Sequence, residues 1–265
     1  MRTYIGMNPV GHKRVLTDPI MKTRQMDLLF SFAYKKEYDL LHDFPNVNLM
    51  VDSGAFTLNG QGNTFKKAEK HAKQYRKFIL ETRDDPRVKY YLELDYFTLI
   101  PYDEIYQLRE KLFDLTPNII PIWHKIWGAR KFMEMCKEYS YIAIPCILGK
   151  EIEKKSLIHY VNYAHKHNCK IHGLGLTNTK VLDKVPFDST DSMTWIQSAN
   201  FSYYGAKRTY IQSDFVSQNM IKVCKGTFLQ HLAQAEHYYN KWRWYHHDWR
   251  RRLHRNRYEQ ILIVI

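Results

Sequence analysis

The sequence predicts an α/β fold, a TIM-type (β/α)8 barrel followed by a basic, aromatic helical extension, and three observations carry that expectation. Eight short β-like runs recur, at 3–6, 27–32, 48–52, 89–95, 118–123, 141–146, 170–175 and 186–191. Charged segments at 64–82, 102–115, 129–139 and 151–167 carry apolar residues every three or four positions, as helices that bury one face do. Three of the apolar runs close on an aspartate: Asp52, Asp95 and Asp191. Strand-helix alternation calls for a parallel sheet, and eight such strands close a barrel whose catalytic residues gather at the C-terminal strand ends.

Taken in order, Thr3-Tyr4-Ile5-Gly6 and the run from Asp27 to Phe32 are the first two strands, and Asn48-Leu49-Met50-Val51-Asp52 is the third. The helix at 64–82 leads to the fourth, which ends Leu92-Glu93-Leu94-Asp95. The helix at 102–115 precedes Ile119-Ile120-Pro121-Ile122-Trp123, and the helix at 129–139 precedes Tyr141-Ile142-Ala143-Ile144-Pro145-Cys146. After the helix at 151–167 come the run ending His172-Gly173-Leu174-Gly175 and the last strand, Pro186 to Asp191. A doubly wound open sheet is the rival fold. It calls for a Gly-x-Gly-x-x-Gly turn after an early strand, and the chain offers only Gly60-Gln61-Gly62 inside a loop.

At 265 residues and 45% hydrophobic composition the chain supports one large domain, with the barrel expected over 1–226 and the extension, packed on it, over 227–265. Forty Lys and Arg against 27 Asp and Glu give a formal charge of +13, which favours a polyanionic partner such as nucleic acid. Cys136, Cys146, Cys169 and Cys224 are scattered, with no Cys-x-x-Cys pair to seed a zinc or redox site, and read as reduced thiols of a cytoplasmic protein. Neither a signal pattern nor an apolar run of membrane-spanning length is visible, so no membrane partner is expected. The histidines form no His-Glu-x-x-His set, so neither a metal nor another cofactor is expected.

The extension interleaves cations with aromatics from Lys241 through Trp242, Arg243, Trp244 and Trp249 to Arg250, Arg251, Arg252 and Arg255. A helix of this kind can follow a phosphate backbone, or dock its Trp residues while its Arg residues face water; opposite faces allow both.

At the strand ends, alternation places Asp191 and Ser189 on one side of the last strand and Asp188 and Thr190 on the other. Asp191 is the candidate for the open mouth, with a helix cap as its plain structural role. After Asp52, the small residues Ser53, Gly54 and Ala55 allow close backbone approach to a flat ring, and Phe56 offers a stacking face or a buried anchor for the turn. Asp95 is a second recognising acid; Glu93 either shares that role or pairs with Lys or Arg. His124, Cys146 and Gly175 complete the candidate set at this rim, and the resemblance that follows implies base binding for it.

The ordered motifs Asp52-Ser53-Gly54-Ala55-Phe56, Leu94-Asp95, Ile122-Trp123-His124, Ile142 to Cys146, His172 to Gly175 and Asp191-Ser192-Met193-Thr194-Trp195 resemble the tRNA-guanine transglycosylase superfamily. The resemblance covers about residues 48–205 and is greatest to the phage and bacterial DNA transglycosylases that place 7-deazaguanines in DNA. It implies that Asp191 is the nucleophile at the anomeric carbon, that Asp52 reads the base edge and manages its proton, and that Asp95 is the second base-reading acid. Phe56 falls at the stacking position, and His124 where the tRNA enzymes usually carry glutamine. The implied partners are DNA, with its guanosine flipped out or single-stranded, and a free 7-deazaguanine such as preQ0 (7-cyano-7-deazaguanine). Two departures separate the chain from the tRNA enzymes. Pro145-Cys146 stands where they often show Gly-Gly, and their clustered zinc cysteines are missing.

Overall fold

The computed structural model of the protein describes residues 1–7, 22–55, 65–146, 152–192 and 228–250. Among the described residues eight strands are present: β1 (Arg2–Gly6), β2 (Met26–Ser31), β3 (Val47–Asp52), β4 (Val88–Leu92), β5 (Ile119–Ile120), β6 (Tyr141–Pro145), β7 (Lys170–Leu174) and β8 (Ser189–Ser192). The helices are α1 (Phe65–Thr82), α2 (Tyr102–Phe113), α3 (Gly128–Glu138), α4 (Leu157–Lys166), the single turn α5 (Thr179–Leu182), and α6 at 228–250. A 3-10 segment, Phe32–Leu41, follows β2. The strands form one sheet in the order β5-β4-β3-β2-β1-β8-β7-β6. A parallel bridge from Ile122, just beyond β5, to Ala143 of β6 joins the two ends of that order, so the fold is the (β/α)8 barrel of the TIM type.

The chain divides into two compact units. Among the described residues the first holds those within Tyr4–Ile119 and Ser192–Ala235, the second those within Met1–Thr3, Ile120–Asp191 and from Glu236 on.

In the first unit β2 and β3 pair in parallel without a break from Met26↔Val47 to Ser31↔Asp52. Helix α1 covers them with Ala68, Ala72, Tyr75 and Ile79, a 4-3-4 spacing that makes one buried stripe. Its Tyr75 hydroxyl donates to the Leu92 carbonyl at 2.8 Å, and Phe32, Tyr75 and Phe78 pack ring to ring at 5.2–5.4 Å.

Glu93, just past β4, meets Arg109 of α2 in a two-pronged ion pair, Nε to Oε2 at 2.6 Å and Nη2 to Oε1 at 3.0 Å. Both side chains are almost wholly buried, at 2% and 0% exposure, and the guanidinium lies 5.7 and 5.9 Å from the ring centres of Tyr102 and Tyr106. Of the two roles the sequence leaves open to Glu93, pairing with a cation is therefore the one observed. A charge pair this deep is sustained by its geometry, since each ion has given up its hydration.

In the second unit all five residues of β6 are buried and pair in register with β7, from Tyr141↔Lys170 to Pro145↔Leu174. Pro145 has no N–H to give the sheet and is the last residue of the strand. Helix α3 contributes Phe132, Met135 and Cys136, and α4 contributes Leu157, Val161 and Ala164; Trp123 meets Phe132 edge to face at 5.3 Å. The α6 residues Tyr238 and Trp242 belong to the same core, and the Trp242 indole donates to the Leu182 carbonyl at 2.9 Å. Among the described residues no helix is long and apolar enough to cross a membrane.

The ion pair supplies a test. Arg109→Leu is expected to lower the free energy of unfolding by about 3–5 kcal/mol, because Glu93 then stays buried without its guanidinium. Urea denaturation measures this, and Glu93→Leu in the same chain should restore much of the loss. A change under about 1 kcal/mol would mean that the Glu93 carboxylate reaches water.

Candidate functional site

Strand β8 reads Ser189-Thr190-Asp191-Ser192, four polar residues that are all buried. No apolar side chain explains that burial, so hydrogen bonds must. Asp191 is held through a single oxygen: the Gly175 N–H donates to Oδ1 at 2.8 Å, and His172 Nε2 lies 3.2 Å from the same atom. Its Oδ2 accepts no hydrogen bond from any described residue, and the side chain keeps 9% of its surface exposed. One oxygen is thus fixed while the other is left for a reaction partner.

Behind Asp191 runs a buried chain of hydroxyls. His172 Nδ1 lies 2.5 Å from Ser189 Oγ, which lies 2.5 Å from the Tyr141 hydroxyl. The ionised carboxylate only accepts, which gives the chain a direction when His172 is neutral. His172 Nε2–H donates to Asp191, Ser189 donates to Nδ1, and Tyr141 donates to Ser189. Gly175 has φ of +66°, a left-handed conformation that glycine adopts without strain and that aims its N–H at the carboxylate. The sequence suggests Gly175 as a place where a base approaches; its N–H is bonded to Asp191.

Asp188 faces the other way, as strand alternation requires. Its Oδ2 lies 2.8 Å from His165 Nε2 and accepts the Ile171 N–H at 2.9 Å, while Oδ1 accepts from Arg250 Nη2 at 3.0 Å. His246 Nδ1 stands 3.5 Å from Oδ1, and His246 Nε2 donates to the Phe187 carbonyl at 2.9 Å. Burial pushes the Asp188 carboxyl up, but the hydrogen bond and charge of His165, the charge of His246 and the Ile171 N–H outweigh it and bring the group down to about 2. Burial lowers His246 to about 4, against the pull of Asp188.

Among the described residues, His165, Asp188 and His246 are the group that could bring three ligand atoms to a metal ion, within 4.8 Å of one another. Those atoms already have hydrogen-bond partners: the Trp249 indole donates to His246 Nδ1 at 3.1 Å, and Arg250 puts a positive charge on Asp188. The set fits a hydrogen-bonded anchor for α6 better than a cation site.

The remaining expected residues fall as follows. In the second unit His124 is buried, edge-on to Trp127 at 5.1 Å. Cys146 is half-buried and its N–H donates to the Leu174 carbonyl at 2.9 Å, so that N–H serves the sheet and is not offered to a base. In the first unit Asp52 ends β3 and its Oδ2 accepts from the Ser31 hydroxyl at 3.0 Å and the Gly54 N–H at 3.1 Å. Gly54 has φ of +69°, and a Cβ there would meet Ala33 at 3.1 Å, so backbone conformation and space both require glycine. Ser53 is buried with its hydroxyl accepting from the Ala55 N–H at 3.4 Å, and Asp95 lies half-buried in the loop after β4. Phe56, Met193, Thr194, Trp195, Arg251, Arg252 and Arg255 lie outside the described residues.

In α6 two of the expected nucleic-acid cations are fasteners: Lys241 bonds Asp183 at 2.8 Å and Arg250 bonds Asp188. Arg243 is exposed and lies over Trp244. The partners of Asp191 escape sequence reasoning because they sit on other strands. Register alone brings His172 opposite Ser189, and no spacing along the chain encodes register.

No family model matches the chain, and no curated protein matches it. Among solved structures, one titled as a "putative lyase/mutase" from Burkholderia cenocepacia J2315 is similar at 10% identity with a TM-score of 0.44, over 77% of this chain and 80% of that one.

The Asp188 anchor is expected to respond to acid. His246 titrates near 6.5 when undocked and near 4 when docked, so the undocked state takes up its proton first and docking weakens as pH falls from about 6.5 to 4. Asp188, held at about 2 against 3.8, adds a further loss below about pH 4. Limited proteolysis of α6 across that range measures the release, and His246→Gln should flatten the upper part of the profile.

Proposed function

We propose that the chain is a base-exchange transglycosylase acting on DNA, replacing guanine by a 7-deazaguanine such as preQ0 through a covalent bond to Asp191. The observation that carries this reading is the carboxylate gripped by one oxygen, with Gly175 and His172 on Oδ1 and no described hydrogen bond on Oδ2. A carboxylate that, among the described residues, neither caps a helix nor shares an ion pair with Lys or Arg, and that lies near the end of a buried polar strand of a barrel, suits nucleophilic work.

In the first displacement Asp191 Oδ2 forms a bond to the anomeric carbon. The glycosidic C–N bond breaks, its electron pair leaves with guanine, and the departing base takes up a proton. In the second, the ring nitrogen of the incoming base attacks the same carbon and sheds its proton as the ester bond to Asp191 breaks. Two displacements keep the strand intact and restore the carboxylate, the logic of a retaining glycosidase with a base in place of water. Proton handling and base reading belong, in this proposal, to Asp52 and Asp95, with Phe56 stacking on the base, as the resemblance implies. His172 is a positioning residue: it fixes the free oxygen of Asp191 through the bound one. The formal charge of +13 suits a polyanionic substrate.

Incubating the protein with radiolabelled guanine or preQ0 and either DNA or tRNA tests the proposal. Label is expected in DNA, and incorporation into tRNA alone would move the substrate to RNA. Acid-quenched protein should carry a DNA adduct that Asp191→Ala abolishes. An adduct that survives in Asp191→Ala would place the nucleophile elsewhere. His172→Ala is expected to lower kcat by roughly 100-fold with KM for DNA little changed, since it disturbs orientation and not binding; His172→Asn, able to donate to Asp191, should recover part of it.

A further inference from the structure

Helix α6 has two faces with different contents. Tyr238, Trp242, Tyr245, His246 and Trp249 follow the spacing of one helical stripe and face the second unit's core and the Asp188 anchor. On the opposite side Trp244 is 68% exposed, with Arg243 and His247 beside it, also exposed. The Arg243 guanidinium lies 5.3 Å from the Trp244 ring centre, and His247 meets the same ring edge to face at 6.5 Å. A tryptophan two-thirds open to water does nothing for docking, which the other stripe accomplishes.

The make-up of this stripe selects its partner. From Glu236 to Arg250 there is no Ala, Val, Leu, Ile or Met, so the face lacks the aliphatic ridge with which an amphipathic helix fills a protein groove. It offers a flat aromatic plane beside a cation, and Arg243 makes no ion pair with a described residue, whereas Lys241 and Arg250 do. Beside the ring lies a depression of about 460 Å³ lined by Trp244, Tyr245, His247 and Asp248, in which a carboxylate adjoins the plane. Aromatic planes flanked by Arg hold unpaired bases by stacking while the cation tracks the phosphate.

We propose that Trp244 is a stacking platform for an unpaired base of a single-stranded nucleic acid, with Arg243 on the neighbouring phosphate. The proposal deepens the reading of the chain as a nucleic-acid enzyme by assigning where an unpaired strand rests, and it stands apart from base exchange because binding is measured without turnover. The platform discriminates single strands from duplexes, since stacked base pairs present no free ring face to Trp244.

Fluorescence anisotropy of a labelled single-stranded oligonucleotide with the full chain, over a series of salt concentrations, tests it. Trp244→Ala is expected to weaken single-strand binding roughly tenfold without changing the salt slope, and Trp244→Phe to restore most of it. Arg243→Ala should reduce the salt slope by about 0.7, the value of one phosphate contact on a single strand. A duplex of the same sequence should bind equally well to the parent and to Trp244→Ala. The proposal is overturned if Trp244→Ala binds the single strand as the parent does, or weakens single strand and duplex alike. It is also overturned if that variant changes only self-association in sedimentation, which would make the face a protein interface. Asp191→Ala should keep Trp244-dependent binding; thus a chain that binds in this way without exchanging bases refutes the proposed reaction and leaves the platform standing.

Discussion

A strand with no apolar side chain has to be buried by its hydrogen bonds, and β8 is such a strand. Each polar group it brings inside gives up contact with water and needs a partner in return. On one side Ser189 and Asp191 find His172, Tyr141 and the Gly175 N–H. On the other Asp188, just before the strand, finds His165, the Ile171 N–H and two residues of α6. The reactive-looking carboxylate and the anchored helix are thus two answers to one requirement, set by alternation along four residues.

The two carboxylates show how environment separates chemically identical groups. Asp188 has partners on both oxygens, and His165, His246 and the Ile171 N–H hold its carboxyl below the usual range, which leaves it nothing to react with. Asp191 has both its partners on one oxygen. Neither burial nor sequence position distinguishes them; the placement of donors does. Glu93 makes the same point in the first unit, where Arg109 takes both of its oxygens.

Much of the fold is legible because periodicity is a local property. Every expected strand is present, with β4 ending three residues earlier, at Leu92, β5 reduced to Ile119–Ile120 and β8 starting three residues later, at Ser189; the four expected helices correspond to α1 to α4, with α4 starting six residues later, at Leu157. Alternation also separated Asp191 from Asp188 correctly. The contacts that define the candidate site were not legible, since His172, Ser189 and Tyr141 come from three strands and meet only through register. A sequence displays Gly175 and Cys146 as candidate base-binding positions without showing where their N–H groups are bonded, and both N–H groups are engaged within the protein. In α6 Trp242 and Trp249 dock and Trp244 stays exposed, while Lys241 and Arg250 bond Asp183 and Asp188, partners too far away in sequence for spacing to reveal.

The fastening of α6 to Asp188 spans 62 residues of chain, from Asp188 to Arg250. A contact of that separation closes a long loop, so it forms late in folding, after local helices and hairpin-range contacts are in place. During synthesis, which delivers the N-terminal part first, β8 emerges well before the helix that completes the hydrogen bonding of its outer carboxylate. The segment that leads into the strand of Asp191 is therefore satisfied only when α6 arrives, so Asp188 waits on a distant part of the chain while the bonds of Asp191 to His172 and Gly175 do not.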